Sequence, residues 1–282
     1  MERLQQAIEK ARMDRARERE GGALEYDKID PVFAAPSARL TQDGGNAAWD
    51  ALPLHVVTPR QLNANRLIGA RSDVNSVRID ILRTRLQQQM RSNDWTRIMV
   101  TSPTPGCGKS TLICNLAFSL LRQQDRRVLV LDFDLRRPGI GKILGIPDNL
   151  RPGIGAVLSG AVPLGASAVR LGDQVAVCAA KAGPESMPEL LKSQATREMI
   201  QEIQQEYSID MILFDVPPIF ANDDAMAVAE MADCGVIVAA AGQTSVDQID
   251  RAERELSQYT QVAGVVANKL QFEENADSTE YY

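Results

Sequence analysis

The sequence predicts an α/β fold built on a doubly wound, mostly parallel sheet, and three observations carry that prediction. Short apolar runs at residues 128–131 and 211–214 have the composition of strands buried on both faces. Both runs end in an aspartate, at Asp132 and Asp215. A third apolar run, at residues 98–100, breaks at Pro103, Pro105, Gly106 and Gly108 and passes into a helical pattern from Lys109 onward. Strand, glycine-containing turn and helix is the order of a phosphate-binding loop.

Length and composition set the outer bounds. A chain of 282 residues accommodates one sizeable domain with appendages. Apolar residues at 44% and charged residues at 24% are ordinary for a globular protein. The net charge of −6 argues against a broad nucleic-acid-binding face, so no nucleic-acid partner is expected. Cys107, Cys114, Cys178 and Cys234 form no C-x-x-C pair and no zinc spacing, which predicts buried thiols in a reducing compartment. Without a signal core or a long apolar run, the expected location is cytoplasmic.

Taken in order, residues 1–20 mix acids and bases around a thin apolar stripe and predict a charged helix. Residues 21–53 shift to Gly, Ala, Pro, Asp and Asn and predict a disordered linker. Residues 54–270 carry the domain. His55, the single histidine, is given no role. A helix is predicted over residues 73–90 with Asp73 as its N-cap; Arg78, Arg83 and Arg85 decorate it. In the glycine-containing loop, backbone N–H groups of Pro105–Thr111 (Gly106, Cys107, Gly108, Lys109, Ser110) form a concavity for an anion, proline itself contributing none. Lys109 would reach the β- and γ-phosphates and the Ser110 hydroxyl would ligate Mg²⁺. Pro103 stands where the strict loop pattern opens with glycine.

Asp132 and Asp134 follow the next strand, at the sheet edge where ligands sit in parallel folds. Such a pair can hold Mg²⁺ while one member accepts a proton. Asp215, before Pro217 and Pro218, occupies the position of a cation-holding strand-end acid. Further strands are predicted at residues 174–178, 236–240 and 262–267, and a helix near Glu189. Asn268, after the last strand, could read adenine through its amide or be an ordinary loop residue. Residues 271–282 form a flexible acidic tail ending in Tyr281 and Tyr282.

These residues carry a resemblance. The set Pro105-Gly106-x-Gly108-Lys109-Ser110-Thr111, then Asp132-x-Asp134-x-Arg136-Arg137-Pro138, then Asp215-x-Pro217-Pro218 resembles the bacterial tyrosine kinase family, the cytoplasmic autokinases of capsule and exopolysaccharide synthesis. The resemblance implies a MinD/ParA-like P-loop NTPase fold, and ATP and Mg²⁺ as cofactors. It further implies Lys109 as the charge neutraliser, Ser110, Asp134 and Asp215 as the Mg²⁺ neighbourhood, and Asp132 as the group that orients and deprotonates the phenol. Tyr281 and Tyr282 would be the acceptors. Implied partners are a separate membrane-bound polysaccharide co-polymerase or chain-length regulator as activator, a tyrosine phosphatase and further copies of the chain. Recruitment to the inner face of the membrane would follow. Where the family's oligomerisation helix carries Glu, Arg and Arg, this chain has Val77, Asp80 and Arg83. Two alternatives stand beside this reading: a MinD/ParA-type ATPase switch, although Thr104 occupies the place of that group's early lysine, and an ATP-binding regulatory scaffold.

Overall fold

The computed structural model describes residues 46–123, 126–148, 151–181 and 187–270. The predicted charged helix at 1–20, most of the linker and the tyrosine-bearing tail lie outside the described residues. Seven strands form one sheet: β1 (Arg97–Thr101), β2 (Val128–Asp132), β3 (Val169–Arg170), β4 (Val175–Cys178), β5 (Met211–Asp215), β6 (Cys234–Ala240) and β7 (Gln261–Asn268). Their spatial order is β3-β4-β2-β5-β1-β6-β7. Every pairing is parallel except β3 with β4.

Alternation along the central strands shows why the apolar runs are continuous. Ile98, Val100, Val128, Val130, Met211 and Leu213 enter one core, whereas Met99, Leu129, Leu131, Ile212 and Phe214 enter the other. Both faces must be apolar because helices cover both. The first core is closed by α1 (Val77–Asn93) and α2 (Lys109–Leu121), through Ile79, Leu86 and Met90 of α1 and Ile113 and Leu116 of α2. The second is closed by α3 (Gln194–Glu206) and α4 (Val246–Leu256), through Ile200, Ile203, Ala252 and Leu256.

Two local predictions shift. Residues 46–53 fall in the predicted linker, yet a short helix Ala47–Asp50, capped by the Asn46 side chain, seats Trp49 in the second core at 1% exposure. Its indole N–H donates to the Asp173 carbonyl at 2.8 Å, and Leu52 is buried beside it. The helix predicted from Asp73 begins instead at Val77. The Asp73 carboxylate accepts from the Asn75 and Ser76 N–H groups at 2.9 and 3.1 Å and so forms the turn that leads in. At its far end, Asp94 in the left-handed conformation stops α1.

The arginines of α1 are also not a uniform solvated face. Arg83 donates to the Ser119 carbonyl at 2.9 Å and pairs with Asp80 at 3.3 Å, while Asp80 also pairs with Arg122 of the segment after α2. These contacts lock α1 to α2. Val77 and Ile81 remain on its outer side, each about half exposed. Among the described residues no helix is long and apolar enough to cross a membrane.

Candidate nucleotide and phosphoryl-transfer site

The site lies where β1, β2 and β5 end together. The end of β1 is fixed by the Thr101 hydroxyl donating to the Pro217 carbonyl at 2.8 Å, which ties the phosphate loop to the segment after β5. Ser102 then donates to the Thr104 carbonyl at 2.8 Å, and the Cys107 thiol to the same carbonyl at 3.2 Å, folding the loop back on itself. Gly106 and Gly108 have φ of +82° and +89°, a conformation that disfavours any side chain. α2 starts at Lys109 directly after Gly108, so its unpaired N–H groups face the loop's concavity.

Asn268 reaches the loop from the end of β7. Its amide donates to the Cys107 carbonyl at 2.8 Å, and a Cβ on Gly108 would collide with it. The predicted adenine-reading residue therefore supports the phosphate loop through its amide nitrogen. All four cysteines are free and buried, as expected. His55 donates its Nε2–H to the Leu144 carbonyl at 2.9 Å, away from these residues.

The three predicted acids converge. Asp132 and Asp215 stand opposite each other in the register of β2 and β5, and both are fully buried. Asp132 accepts from the Asp134 and Ile140 N–H groups at 3.3 and 3.2 Å. Neither oxygen of Asp215 has a hydrogen-bond partner. Burial pushes Asp215 up to about 6, with the charge of the nearby Lys109 ammonium pulling the other way. Burial and the adjacent Asp215 charge push Asp132 well above the carboxylate range. Asp134, at 7% exposure, accepts from the Arg137 N–H at 3.1 Å. Burial raises it too, against the lowering influence of Lys109.

An orphaned buried carboxylate beside a buried lysine and an anion cradle is the donor set for a cation carried in with phosphates. Among the described residues no three His, Cys, Asp or Glu side chains form a metal cage by themselves. Magnesium is usually held by one or two carboxylates, waters and substrate phosphates, and Asp132 and Asp215 supply two carboxylates here.

Comparison with known proteins follows the same lines. A model of the ParA family, described as NUBPL iron-transfer P-loop NTPase, matches residues 95–282. The tyrosine-protein kinase YwqD of Bacillus subtilis is 31% identical over 201 residues, covering 71% of this chain and 77% of that protein. This chain belongs to the bacterial tyrosine kinase family. As a member of that family within the ParA-like P-loop NTPases, it has relatives of different lengths. The tyrosine-protein kinase Wzc of Salmonella typhimurium is 29% identical over 212 residues, and this chain spans only 28% of its length. The kinase domain of the Escherichia coli tyrosine kinase ETK superposes with a TM-score of 0.63 at 25% identity, covering 72% of this bacterial tyrosine kinase and 79% of that chain.

One buried acid is not marked out by the sequence. Asp224 stands beyond Pro218, in a short helix Asp224–Ala229, and is 4% exposed. Its Oδ2 pairs with the Arg136 Nε at 3.0 Å, and its Oδ1 is buried without a partner. Nothing in the run Asn222-Asp223-Asp224 distinguishes it from an ordinary polar loop, because its burial comes from the segment folding back onto the end of β2.

Proposed function

We propose that this chain is an ATP- and magnesium-dependent protein-tyrosine kinase that phosphorylates Tyr281 and Tyr282 of its own tail and thereby regulates capsule or exopolysaccharide polymerisation and export. The observation that carries this reading is the pair Asp132 and Asp134 at the end of β2, beside Asp215 and Lys109. A second acidic strand end supplies groups for an incoming hydroxyl.

A tyrosine has a pKa near 10. In a loose phosphoryl-transfer transition state its proton leaves late, so a positioned carboxylate suffices and no histidine is required. Burial redistributes the roles implied by the resemblance. Asp134 is the least buried of the three acids and its raised affinity for protons suits a general base, so we assign it the phenol proton. Asp132 faces Asp215 across the two strands and is held by backbone N–H groups, so we assign that pair, with Ser110, to the cation. Asp132, Asp215 and Ser110 would hold magnesium there, and the ion would supply positive charge against the charge that develops as ADP departs. Lys109 neutralises charge on the transferring group, and the N–H groups from Gly106 to Thr111 orient the phosphates. Asn268 holds the loop in shape and keeps its Oδ1 for the base.

The same reading proposes a membrane-bound co-polymerase as activator, recruitment to the inner membrane face, a tyrosine phosphatase, and self-association. The exposed Val77 and Ile81 on α1 give self-association a surface, even though Asp80 and Arg83 are engaged within the chain. The test measures phosphate release and phosphotyrosine in parallel on the full chain. Phosphotyrosine that accounts for the ATP consumed and vanishes in Lys109→Met supports the kinase. Steady phosphate release with no phosphotyrosine would replace it with a ParA-type ATPase.

A further inference from the structure

Beyond Asp134 the chain turns basic: Arg136 and Arg137 are both exposed, directly after the buried acids. Arg136 is not loose. Its Nε is held at 3.0 Å by Asp224, whose side chain is 5% exposed while that of Arg136 is 50% exposed. A buried carboxylate thus grips one edge of the guanidinium and turns the rest of the fork outward. Arg137 is anchored through its backbone N–H to Asp134, and its charge is felt by that carboxyl. Two cationic side chains therefore stand at the mouth of a site whose interior is acidic. They do not serve the nucleotide's phosphate loop, which is formed by other residues.

The remaining sequence contains a match. Residues 271–282 carry Glu273, Glu274, Asp277 and Glu280, no Lys or Arg, and the two tyrosines immediately after Glu280. The tail departs from β7, whose last residue already touches the phosphate loop through Asn268. From β7 to β2 is four strand spacings, about 19 Å, and a twelve-residue segment extends up to about 40 Å.

We propose that Arg136 and Arg137 form an acid-reading subsite that binds the carboxylates flanking the acceptor tyrosines in residues 271–282, with Asp224 as the positioning residue that aims Arg136. This deepens the kinase reading and rests on it for the role of the tyrosines. The substrate class it names is an acidic tyrosine-bearing peptide.

The test separates binding from chemistry. The parent is the full chain with Glu273, Glu274, Asp277 and Glu280 changed to the corresponding amides, so that its own tail does not compete. A fluorescein-labelled peptide of residues 271–282 with its acids intact is titrated against it by anisotropy. The expected result is binding that weakens on the order of tenfold in Arg136→Gln/Arg137→Gln, and by a similar factor when the peptide's four acids are amidated. Asp224→Asn should weaken binding in the same direction and Asp224→Glu should restore it, with affinity for a fluorescent ADP within about twofold throughout; a merely structural Asp224 would not show that pattern. Equal peptide affinity in parent and arginine variant, indifference to the peptide's acids, or no binding to the parent would each overturn the proposal. Phosphotyrosine is scored separately on the unmodified chain: its absence together with charge-dependent peptide binding overturns the kinase reading and leaves the subsite standing.

Discussion

At the scale of single residues, Asp215 has the strongest consequences. A carboxyl raised from the ordinary range near 4 to about 6 keeps its proton in the folded state after the unfolded chain has lost it. Stability from this group is therefore highest below pH 4, declines as pH rises from about 4 to about 6, and is flat above. The raised Asp132 and Asp134 act in the same direction. Asp215→Asn removes the buried charge, so it should raise the melting temperature of the nucleotide-free protein at pH 7 by a few degrees and flatten its decline between pH 4 and 6. The same substitution should abolish magnesium-dependent nucleotide binding; calorimetry and titration check both. Gly108→Ala faces a different constraint, because its φ of +89° and the adjacent Asn268 amide leave no room for a Cβ. Nucleotide affinity should fall at least tenfold, and unchanged affinity would show that the loop can reshape. Lys109, Ser110, Asp132, Asp134 and Asp215 were legible in the sequence because each sits at a fixed offset from a strand end. Asp224 was not, since its place depends on how a loop folds back.

Elements were legible where burial imposes a pattern. β1, β2, β5 and β6 are apolar on both faces, so their sequences announce them. The helix Ala47–Asp50 spans about one turn, too short for any periodicity, and only tertiary contact reveals that Trp49 belongs to the core. Trp49→Ala should destabilise the domain by about 3–5 kcal/mol, read by denaturant unfolding. A change below about 1 kcal/mol would mean that residues 46–53 ride on the domain without supporting it. The packing of α1 on α2 was likewise hidden, because Asp80 reads as a surface acid until Arg122 is brought to it. Arg122→Ala should leave that acid with Arg83 and Ser119 alone and cost roughly 1–3 kcal/mol.

At the scale of the whole molecule, the sheet brings three strand-end acids, a phosphate loop and two outward arginines to one end, and β7 ends there too, with Asn268 against the loop. A parallel sheet does this because every strand of its centre ends on the same side. The decisive measurement is tryptic mass mapping of the full chain after incubation with ATP and magnesium, with Lys109→Met treated alike. Phosphate on Tyr281 or Tyr282 that is missing from the Lys109→Met protein is the expected result. An unmodified tail in a protein that still turns over ATP would contradict it.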